Sequence, residues 1–338
     1  MRRRIEALWY RDKPPPLWLR ALAWLFGRVA SWRRRWQVPR AEATALPVIV
    51  VGNISVGGTG KSPVVSWLIG ELQALGFQPG IVARGYGSRG PAHPRRLPDD
   101  ATPEEYGDEP VMLARRTGVP VAVGADRSAT VACLAETGGL DIAVSDDGLQ
   151  HYRMARAFEI AVIDGIRGLG NGALLPAGPL REPPARLLDV DLVLVNGGNW
   201  QLAGVPAVRF HLLLGDAHRL DGSRQQALAE FRGQPVHAVA GIGHPERFFS
   251  RLEAAGLELL RHPFPDHHAF AAADLAFDDD FPVLMTEKDA VKCRGFASDR
   301  LWSVPAEVAF GDDEAGDVRK LLRAALAPEA GAPSATPR

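Results

Sequence analysis

The hydrophobic pattern of the chain predicts a series of short buried strands that alternate with helices. Apolar runs are expected to form strands at residues 47–51, 80–83, 119–123, 140–145, 158–163 and 191–196. Between them, apolar residues at helical spacing predict helices at 64–75, 111–117 and 126–136. This alternation is typical of an α/β fold with a parallel sheet that is covered on both faces.

A second, smaller α/β domain is predicted after residue 204. Extended segments at 205–214 and 301–310 are expected to pair as a two-stranded linker. Between them, strands are predicted at 236–242, 257–262 and 282–286, with a helix at 246–255. The expected division is an N-terminal arm at 1–36, a larger domain at 37–204, a smaller domain at 215–300, a C-terminal helix at 311–326 and a disordered Ala- and Pro-rich tail at 327–338.

The strand at 47–51 is followed by a sequence typical of nucleotide binding. Its residues are Gly57, Gly58, Thr59, Gly60, Lys61 and Ser62. A glycine loop between a strand and a helix turns backbone N–H groups towards a phosphate chain, while the lysine reaches the terminal phosphates and the serine hydroxyl holds Mg²⁺. Ser55 stands where this pattern usually opens with glycine. A turn without a ligand is the alternative, but Lys-Ser behind three glycines favours a P-loop NTPase-like domain.

Acidic residues supply the next candidates. Asp146 and Asp147 follow the strand at 140–145, a position where a carboxylate engages Mg²⁺ or its bound water. Asp108 precedes the helix at 111–117. Acids in a first helical turn are common as caps and dipole partners, so a structural role is one interpretation of Asp108. The functional interpretation is a base that takes a proton from an acceptor hydroxyl.

Other polar side chains are predicted to lie near the same edge of the sheet. Arg84 and Tyr86 follow the strand at 80–83, and ligands of doubly wound folds bind at the carboxyl ends of strands. Two adjacent histidines, 267 and 268, are by themselves typical of a polar surface. Paired with an acid of the other domain, they suggest that Asp266 orients His267 and that His267 poises Asp108.

Composition and charge change this picture mainly at the N-terminus. The 338 residues are 46% hydrophobic and 23% charged, as expected for a folded protein with room for two domains. Cys133 and Cys293 are the only cysteines, too few for a disulfide framework, which favours a reducing compartment. The net charge is only −1, yet the first forty residues carry eleven basic and two acidic side chains. This basic arm suggests an anionic surface as partner.

A helix predicted at 17–36 combines these arginines with a broad apolar face. That face consists of Leu17, Trp18, Ala21, Leu22, Leu25, Val29, Trp32 and Trp36. It has no charge-free run of the roughly 20 apolar residues that a membrane-spanning helix needs. We therefore expect a helix that lies in the membrane interface. The alternative is a helix packed on the protein with its arginines in solvent. Nucleic acid is not expected as a partner, because no recognition motif accompanies the charge.

The ordered motifs of the chain resemble those of the tetraacyldisaccharide 4'-kinase family, the lipid A 4'-kinases. They are GNISVGGTGKSP, ARGYG, GDEP, SDDGLQH, DGIRGLGNG, LPAGPLREP, FPDHHAF and LMTEKDAVKC, in that order along nearly the whole sequence. Each motif alone is a weak signal, whereas the ordered set is specific. The family's P-loop also lacks the first glycine, so Ser55 agrees with the resemblance.

The resemblance implies an ATP- and Mg²⁺-dependent enzyme at the cytoplasmic face of the inner membrane, with no obligate protein partner. It would phosphorylate the 4'-hydroxyl of a tetraacylated, 1-phosphorylated glucosamine disaccharide, the lipid A precursor, to form lipid IV-A. By motif position, Asp108 resembles the catalytic base, His267 the histidine that works with it, and Lys61 a catalytic and nucleotide-binding residue. Ser62, Asp146 and Asp147 match the magnesium residues. The positions that line the family's site are Arg84, Tyr86, Glu109, His151, Arg181 and Glu182.

Two rival functions remain open from the residues alone. A membrane-associated switch that hydrolyses nucleotide to load or release a partner would also need a P-loop, an acidic pair and a basic arm. A kinase of a soluble sugar would leave the Trp-rich arm unexplained. A base paired with a histidine favours a kinase, since a switch needs no base for a sugar hydroxyl.

Overall fold

The computed structural model describes residues 8–10, 14–91, 93–296 and 298–326. The helices in this part of the chain are α1 Leu17–Gln37, α2 Lys61–Ala74, α3 Pro103–Tyr106, α4 Asp108–Thr117, α5 Arg127–Ala135, α6 Pro245–Ala254, α7 Glu287–Cys293 and α8 Asp312–Leu326. Short 3-10 helices lie at Val38–Arg40, Pro184–Leu188, Leu228–Phe231, Ala272–Leu275 and Arg294–Phe296.

The described strands fall into two sheets. They are β1 Val48–Gly52, β2 Pro79–Ala83, β3 Arg95–Arg96, β4 Val121–Val123, β5 Ile142–Asp146, β6 Phe158–Asp164, β7 Leu192–Asn196, β8 Ala207–Leu214, β9 Ala217–Arg219, β10 Gln225–Gln226, β11 Pro235–Ala240, β12 Glu258–Pro263, β13 Val283–Thr286, β14 Leu301–Val304 and β15 Ala306–Ala309. The α/β prediction is confirmed, and the strands and helices expected before residue 200 are present with ends shifted by at most three residues.

The first sheet is parallel through its centre. Its order is β15-β8-β7-β6-β1-β5-β2-β4-β3, and only the outer strands β15 and β3 pair antiparallel. β1 lies between β5 and β6, with Val51 opposite Asp146 on one side and Ile160 on the other. Because parallel strands end at the same edge, the loops that follow β1, β5 and β6 meet there.

Helix α2 packs on this sheet because its apolar residues recur at helical spacing. The side chains that it buries against the sheet are Val64, Val65, Leu68, Ile69 and Leu72. Helix α4 starts three residues earlier than predicted, at Asp108. Gly107 has a φ of 92°, a backbone conformation that favours glycine, and so turns the chain directly into the helix. The early start places two acids in the first turn.

The second sheet has the order β10-β9-β14-β13-β11-β12, and its strands β14, β13, β11 and β12 are parallel. Helix α6 covers one face and buries Phe248, Phe249 and Leu252 in a core with Phe231 and Trp302. Helix α7 directly follows β13, and Thr286 caps it by accepting a hydrogen bond from the backbone of Asp289. The smaller α/β unit expected from the pattern is thus built on its own sheet.

The linker segment expected at 301–310 is not one strand. Residues 301–304 form β14 of the second sheet, whereas 306–309 form β15 and pair antiparallel with β8 of the first sheet. The prediction was therefore wrong for 301–304 and right for the pairing of β15 with β8. Pro305 separates the two strands, because a proline has no N–H to continue the hydrogen-bonded ladder. Strand β8 also pairs with β7, so the first sheet includes this connection.

Helix α1 contacts the protein through a different face from the predicted apolar one. Leu19 and Ala23 are buried against Ala177 and Leu174. The apolar face expected from the sequence remains exposed, including Trp18 at 64% and Trp32 at 66% of full exposure. Within the described residues, none of the helices is long and apolar enough to cross a bilayer. The arginines of the arm at positions 2, 3, 4 and 11, Lys13 and the tail at 327–338 lie outside the described residues.

We predict that Leu68→Ala lowers the free energy of unfolding by about 2–5 kcal/mol, because Leu68 is fully buried between α2 and the first sheet. Urea denaturation measures this change. The control is Leu213→Ala, whose side chain is 55% exposed and whose loss should stay within about 0.5 kcal/mol. Equal losses in the two variants would contradict the assigned core.

Candidate active site

The loop between β1 and α2 has the backbone conformation that the sequence predicts for a phosphate-binding loop. Gly57 has a φ of 119° and Gly60 a φ of 98°, both in the range that favours glycine. Gly60 is the N-cap of α2, so Lys61 and Ser62 begin the helix. The first N–H groups of a helix have no partner within it and carry the positive end of its dipole, which suits a phosphate group.

Two asparagines that the sequence interpretation missed hold this loop. Asn196, at the end of β7, donates a hydrogen bond from its Nδ2 to the carbonyl of Thr59 at 3.1 Å. Asn53, buried after β1, has its Nδ2 3.5 Å from both the carbonyl of Gly57 and the hydroxyl of Thr59. The signal for Asn196 in the sequence is a polar residue at the carboxyl end of a predicted strand. Asn196 ends the segment 191–196, much as Asp146 follows the segment 140–145.

The acidic pair after β5 lies beside the P-loop lysine. Asp147 has a φ of 49°, unusual for a residue other than glycine, and its carboxylate is 3.5 Å from Lys61 Nζ and 3.0 Å from an Arg181 nitrogen. Burial opposes ionisation of Asp147, but Lys61 and Arg181 outweigh it and lower its pKa to about 2. Asp147 is therefore a carboxylate at neutral pH.

Asp146 differs in its surroundings. Its Oδ1 is buried and has no hydrogen-bond partner among the described residues. Burial raises the pKa of Asp146, the charge of Glu109 raises it further, and Lys61 opposes this rise. A buried oxygen without a partner fits a cation, and Mg²⁺ prefers carboxylate and hydroxyl oxygens. Asp146, Asp147 and Ser62 at the start of α2 form a donor set suited to magnesium.

Asp108 and His267 meet although they come from different sheets. Asp108 begins α4, His267 follows β12, and His267 Nδ1 is 3.1 Å from Asp108 Oδ2. His267 has a φ of 60°, and its backbone N–H donates a hydrogen bond to the carbonyl of Gly241 at 3.3 Å. Burial raises the pKa of Asp108, but the hydrogen bond from His267 and the charges of Lys292 and Lys288 more than compensate, so the pKa is lowered overall. An ionised carboxylate in this position can accept a proton.

The neighbours of His267 differ in part from those expected. Asp266 Oδ1 is 3.9 Å from His267 Nε2, which is too long for a hydrogen bond. Lys288 Nζ contacts both groups, at 3.5 Å from Asp266 Oδ1 and 3.4 Å from His267 Nε2. His268 instead contacts Asp274 at 3.0 Å. The two adjacent histidines therefore have different partners: His267 contacts Asp108, whereas His268 contacts Asp274.

One cleft of about 1930 Å³ joins these groups. Both sheets and α1 contribute to its walls. The predicted site residues in its lining are Gly57, Gly58, Thr59, Gly60, Lys61, Ser62, Arg84, Tyr86, Glu109, Asp146, Asp147, His151, Arg181, Glu182 and His267. Asp108 lies directly behind this lining, next to Glu109 and in contact with His267.

Three of the six side chains expected to line a substrate site occupy the cleft wall on the side of β2 and α4, namely Arg84, Tyr86 and Glu109. Arg84 and Tyr86 follow β2, and the Tyr86 ring centroid is 5.7 Å from that of His267. Glu109 Oε1 is 3.7 Å from Lys288 Nζ, so a lysine of the second sheet reaches an acid of the first. Tyr86 therefore lies beside His267, and Glu109 beside Lys288, in one wall of the cleft.

His151 and Glu182 are more buried. Burial lowers the pKa of His151 to about 4, and the charge of Arg127 adds to this, so the ring is neutral at pH 7. Glu182 accepts hydrogen bonds from Gln150 at 2.7 Å and from the Tyr152 hydroxyl. Burial raises the pKa of Glu182. Both residues therefore offer hydrogen-bonding groups in a poorly hydrated wall.

Comparisons with known proteins agree on one family. The model of the family described as tetraacyldisaccharide-1-P 4'-kinase matches residues 16–327. Two proteins named tetraacyldisaccharide 4'-kinase are similar over most of the chain. The protein from Alkalilimnicola ehrlichii is 51% identical and the alignment covers 90% of this chain and 92% of that protein. The protein from Halorhodospira halophila is 49% identical, and the alignment covers 94% of this chain and 96% of that protein.

A solved structure shares the fold. It is LpxK from Aquifex aeolicus, described as the apo form in complex with ATP, and it superposes with a TM-score of 0.79. The two sequences are 24% identical, and the alignment covers 90% of this chain and 97% of that chain. The likeness shows that the two chains share the overall fold.

We predict that Gly60→Ala lowers the free energy of unfolding by about 1–3 kcal/mol, because φ is positive and the new Cβ would lie 2.9 Å from Asn196 Nδ2. Nucleotide binding should weaken as well. Gly58→Ala is the matched control, since an added Cβ there has no described neighbour within 4 Å. Denaturation without nucleotide measures the difference, and similar midpoints for the two variants would refute it.

Proposed function

The chain belongs to the tetraacyldisaccharide-1-phosphate 4'-kinase family, and we propose that Lys61, Asp108 and His267 perform its phosphoryl transfer. The enzyme is a lipid A 4'-kinase, which phosphorylates the 4'-hydroxyl of a tetraacyldisaccharide 1-phosphate. The observation that supports these roles most directly is the 3.1 Å contact between Asp108 and His267 beside the cleft that contains the P-loop.

The P-loop positions the phosphoryl donor. We assign the backbone N–H groups of residues 57–62 to the phosphate chain of ATP, and the Lys61 ammonium to the phosphate oxygens on which charge develops during transfer. Lys61 is held beside Asp147, which orients the ammonium at 3.5 Å. Ser62, Asp146 and Asp147 would hold Mg²⁺. When bound, Mg²⁺ supplies neutralisation of the phosphate charge.

Asp108 receives the proton of the acceptor. The hydrogen bond from His267 engages Oδ2 of Asp108, so we assign Oδ1 to the 4'-hydroxyl. The lowered pKa keeps Asp108 ionised at neutral pH. His267 acts by holding the carboxylate in one orientation and by stabilising its charge. Arg84, Tyr86, Glu109, His151, Arg181 and Glu182 are proposed to line the sites of the sugar and the nucleotide.

Helix α1 is proposed to place the enzyme on the membrane that contains the lipid acceptor. Its exposed apolar face ends in a stacked pair, Trp32 and Trp36, whose ring centroids are 6.5 Å apart. Aromatic rings beside arginines are typical of helices that lie in the lipid headgroup region. Val29 and Arg33 also line the cleft, so a lipid held at α1 would have its sugar near the P-loop. Use of ATP together with free cysteines favours the cytoplasmic face of the inner membrane.

We predict that Asp108→Asn lowers turnover by about 10²- to 10⁴-fold while ATP binding stays close to that of the unmodified enzyme. Transfer of labelled phosphate from ATP to a tetraacyldisaccharide 1-phosphate measures turnover. Asp100→Asn, an exposed surface change, is the control. Near-native transfer by Asp108→Asn would exclude its role as base. Steady ATP hydrolysis without a phosphorylated lipid would instead favour the nucleotide-dependent switch.

We predict that the double change Trp32→Ser and Trp36→Ser weakens binding to anionic phospholipid vesicles by about tenfold or more, because two exposed indole rings would no longer enter the headgroup region. Turnover on detergent-solubilised acceptor should stay near the native value. Leu321→Ser, at an exposed apolar position of α8, serves as the control. Unchanged vesicle partition of the double variant would remove the membrane role of α1.

A further inference from the structure

The buried carboxylate of Asp289 connects the two elements of the second sheet that reach Asp108. Asp289 is fully buried and lies in α7. Its Oδ2 accepts hydrogen bonds from the backbone of Gly241 at 2.8 Å and from the Thr286 hydroxyl at 2.7 Å. Its Oδ1 is 2.8 Å from Lys292 Nζ. In the described residues, this carboxylate therefore holds the backbone of Gly241, the hydroxyl of Thr286 and the ammonium of Lys292 in place.

Lys292 extends from Asp289 to the base. Its Nζ is 3.9 Å from Asp108 Oδ2, and the side chain is only 6% exposed. The ammonium also lies 5.0 Å from the centre of the Phe270 ring, a distance typical of cation–π contacts. A buried ammonium requires compensating negative charge, and Lys292 has it from one acid of its own helix and one acid of the first sheet.

The backbone of Gly241 provides the second connection. Its N–H donates to Asp289, while its carbonyl accepts the N–H of His267, which has a positive φ. An added Cβ at Gly241 would lie 3.0 Å from Asp289 Oδ1, so the close approach depends on glycine. Asp289 thus anchors the backbone that supports His267 as well as the ammonium of Lys292.

We propose that Asp289 and Lys292 are positioning residues of the kinase reaction, which hold the Asp108 carboxylate ionised and aligned from the opposite side of the cleft. The inference rests on the proposed role of Asp108 as base. Neither residue contacts the reacting atoms: Lys292 acts through Asp108, and Asp289 acts through Lys292 and His267. The proposal also assigns a role to two residues of the motif LMTEKDAVKC, whose Glu-Lys-Asp at 287–289 is compatible in sequence with either a helix start or a functional segment.

Several charged groups lie near Asp108, and a test must distinguish their effects on it. The cations are Lys292 and Lys288 of α7, with His267 as a third partner when it is protonated, and the nearby acids are Glu109, Asp266 and Asp289. Lys288 is shared with Glu109, Asp266 and His267. Among the described residues, Lys292 pairs with Asp108 and with Asp289. Loss of the Lys292 charge removes a stabilising interaction from the ionised form of Asp108. The pKa of Asp108 then rises, and the acidic limb of the pH profile moves to higher pH.

The test uses Lys292→Gln, which can still donate a hydrogen bond to Asp289 but carries no charge. We expect kcat/KM for the lipid acceptor to fall by about tenfold, with the acidic limb displaced upward and ATP affinity unchanged. Lys292→Arg keeps the charge and should retain the native acidic limb. Lys320→Gln, which removes an exposed lysine of α8, is the matched control.

The outcomes distinguish the inference from the proposed function. If Lys292→Gln has a native kcat/KM and an unmoved acidic limb while Asp108→Asn is inactive, the inference is wrong and the base assignment stands. If Asp108→Asn is active, both fail. In the Asp108→Asn background, Lys292→Gln should cause no further loss, and an additive loss would show that Lys292 acts elsewhere. Should Lys292→Gln not fold, Lys292→Arg decides, because a displaced acidic limb in that variant overturns the proposal.

Discussion

The parallel arrangement of β1 between β5 and β6 is the constraint on which the site depends. Because these strands end at one edge, the P-loop after β1 and the acidic pair after β5 must face each other. The left-handed backbone of Gly57 and Gly60 then turns the loop over that edge. Asn196, from the next strand but one, supports the loop from behind. The phosphate-binding machinery is thus a consequence of sheet topology combined with a few residues of special conformation.

Burial by itself raises the pKa of Asp108, Asp146 and Asp147, and their different neighbours give these carboxylates different properties. Asp147 contacts Lys61 and Arg181 and ionises readily, with a pKa of about 2. Asp146, one residue earlier, has no hydrogen-bond partner at its buried Oδ1 within the described part of the chain, and burial raises its pKa. Asp108 is partly buried but stabilised as an anion by His267 and by lysines of the second sheet. Asp146 and Asp147 in the cleft and Asp108 beside it therefore have different surroundings, which agree with the cation-binding and proton-accepting roles that we propose for them.

The second sheet completes the site. It supplies His267, Lys288 and Lys292, and Arg247 of α6 joins it to Asp164 at the end of β6 at 2.6 Å. Asp108 by itself would be a partly buried acid at a helix start. Its contacts with His267 and Lys292 exist only when the two sheets are together, so the role that we propose for Asp108 depends on the relative position of the sheets.

Much of this architecture is determined by the sequence itself. The apolar runs and helical spacings predict the parallel sheet. Strands that are buried on both faces are continuously apolar, and the helices that cover them repeat apolar residues at helical spacing. The P-loop and Asp146–Asp147 are also readable, since their chemistry needs particular residues at fixed spacing after a strand. The exposed apolar face of α1 was likewise visible in the sequence, although the residues that dock the helix, Leu19 and Ala23, were not.

Only the tertiary structure decided how distant segments meet. The contact of Asp108 with His267 joins residues 159 positions apart. Acid–histidine chemistry and the family resemblance suggested this pairing, but no local pattern determines that the two side chains meet. Asp289 and Lys292 lie in the motif LMTEKDAVKC, but the motif does not indicate their link to Asp108, because a lysine near a helix end is ordinarily exposed. The change of sheet at Pro305 was equally hidden, since two extended segments in succession resemble one strand. Local periodicity specifies which residues are buried, whereas the partners of a buried charge depend on how the sheets pack.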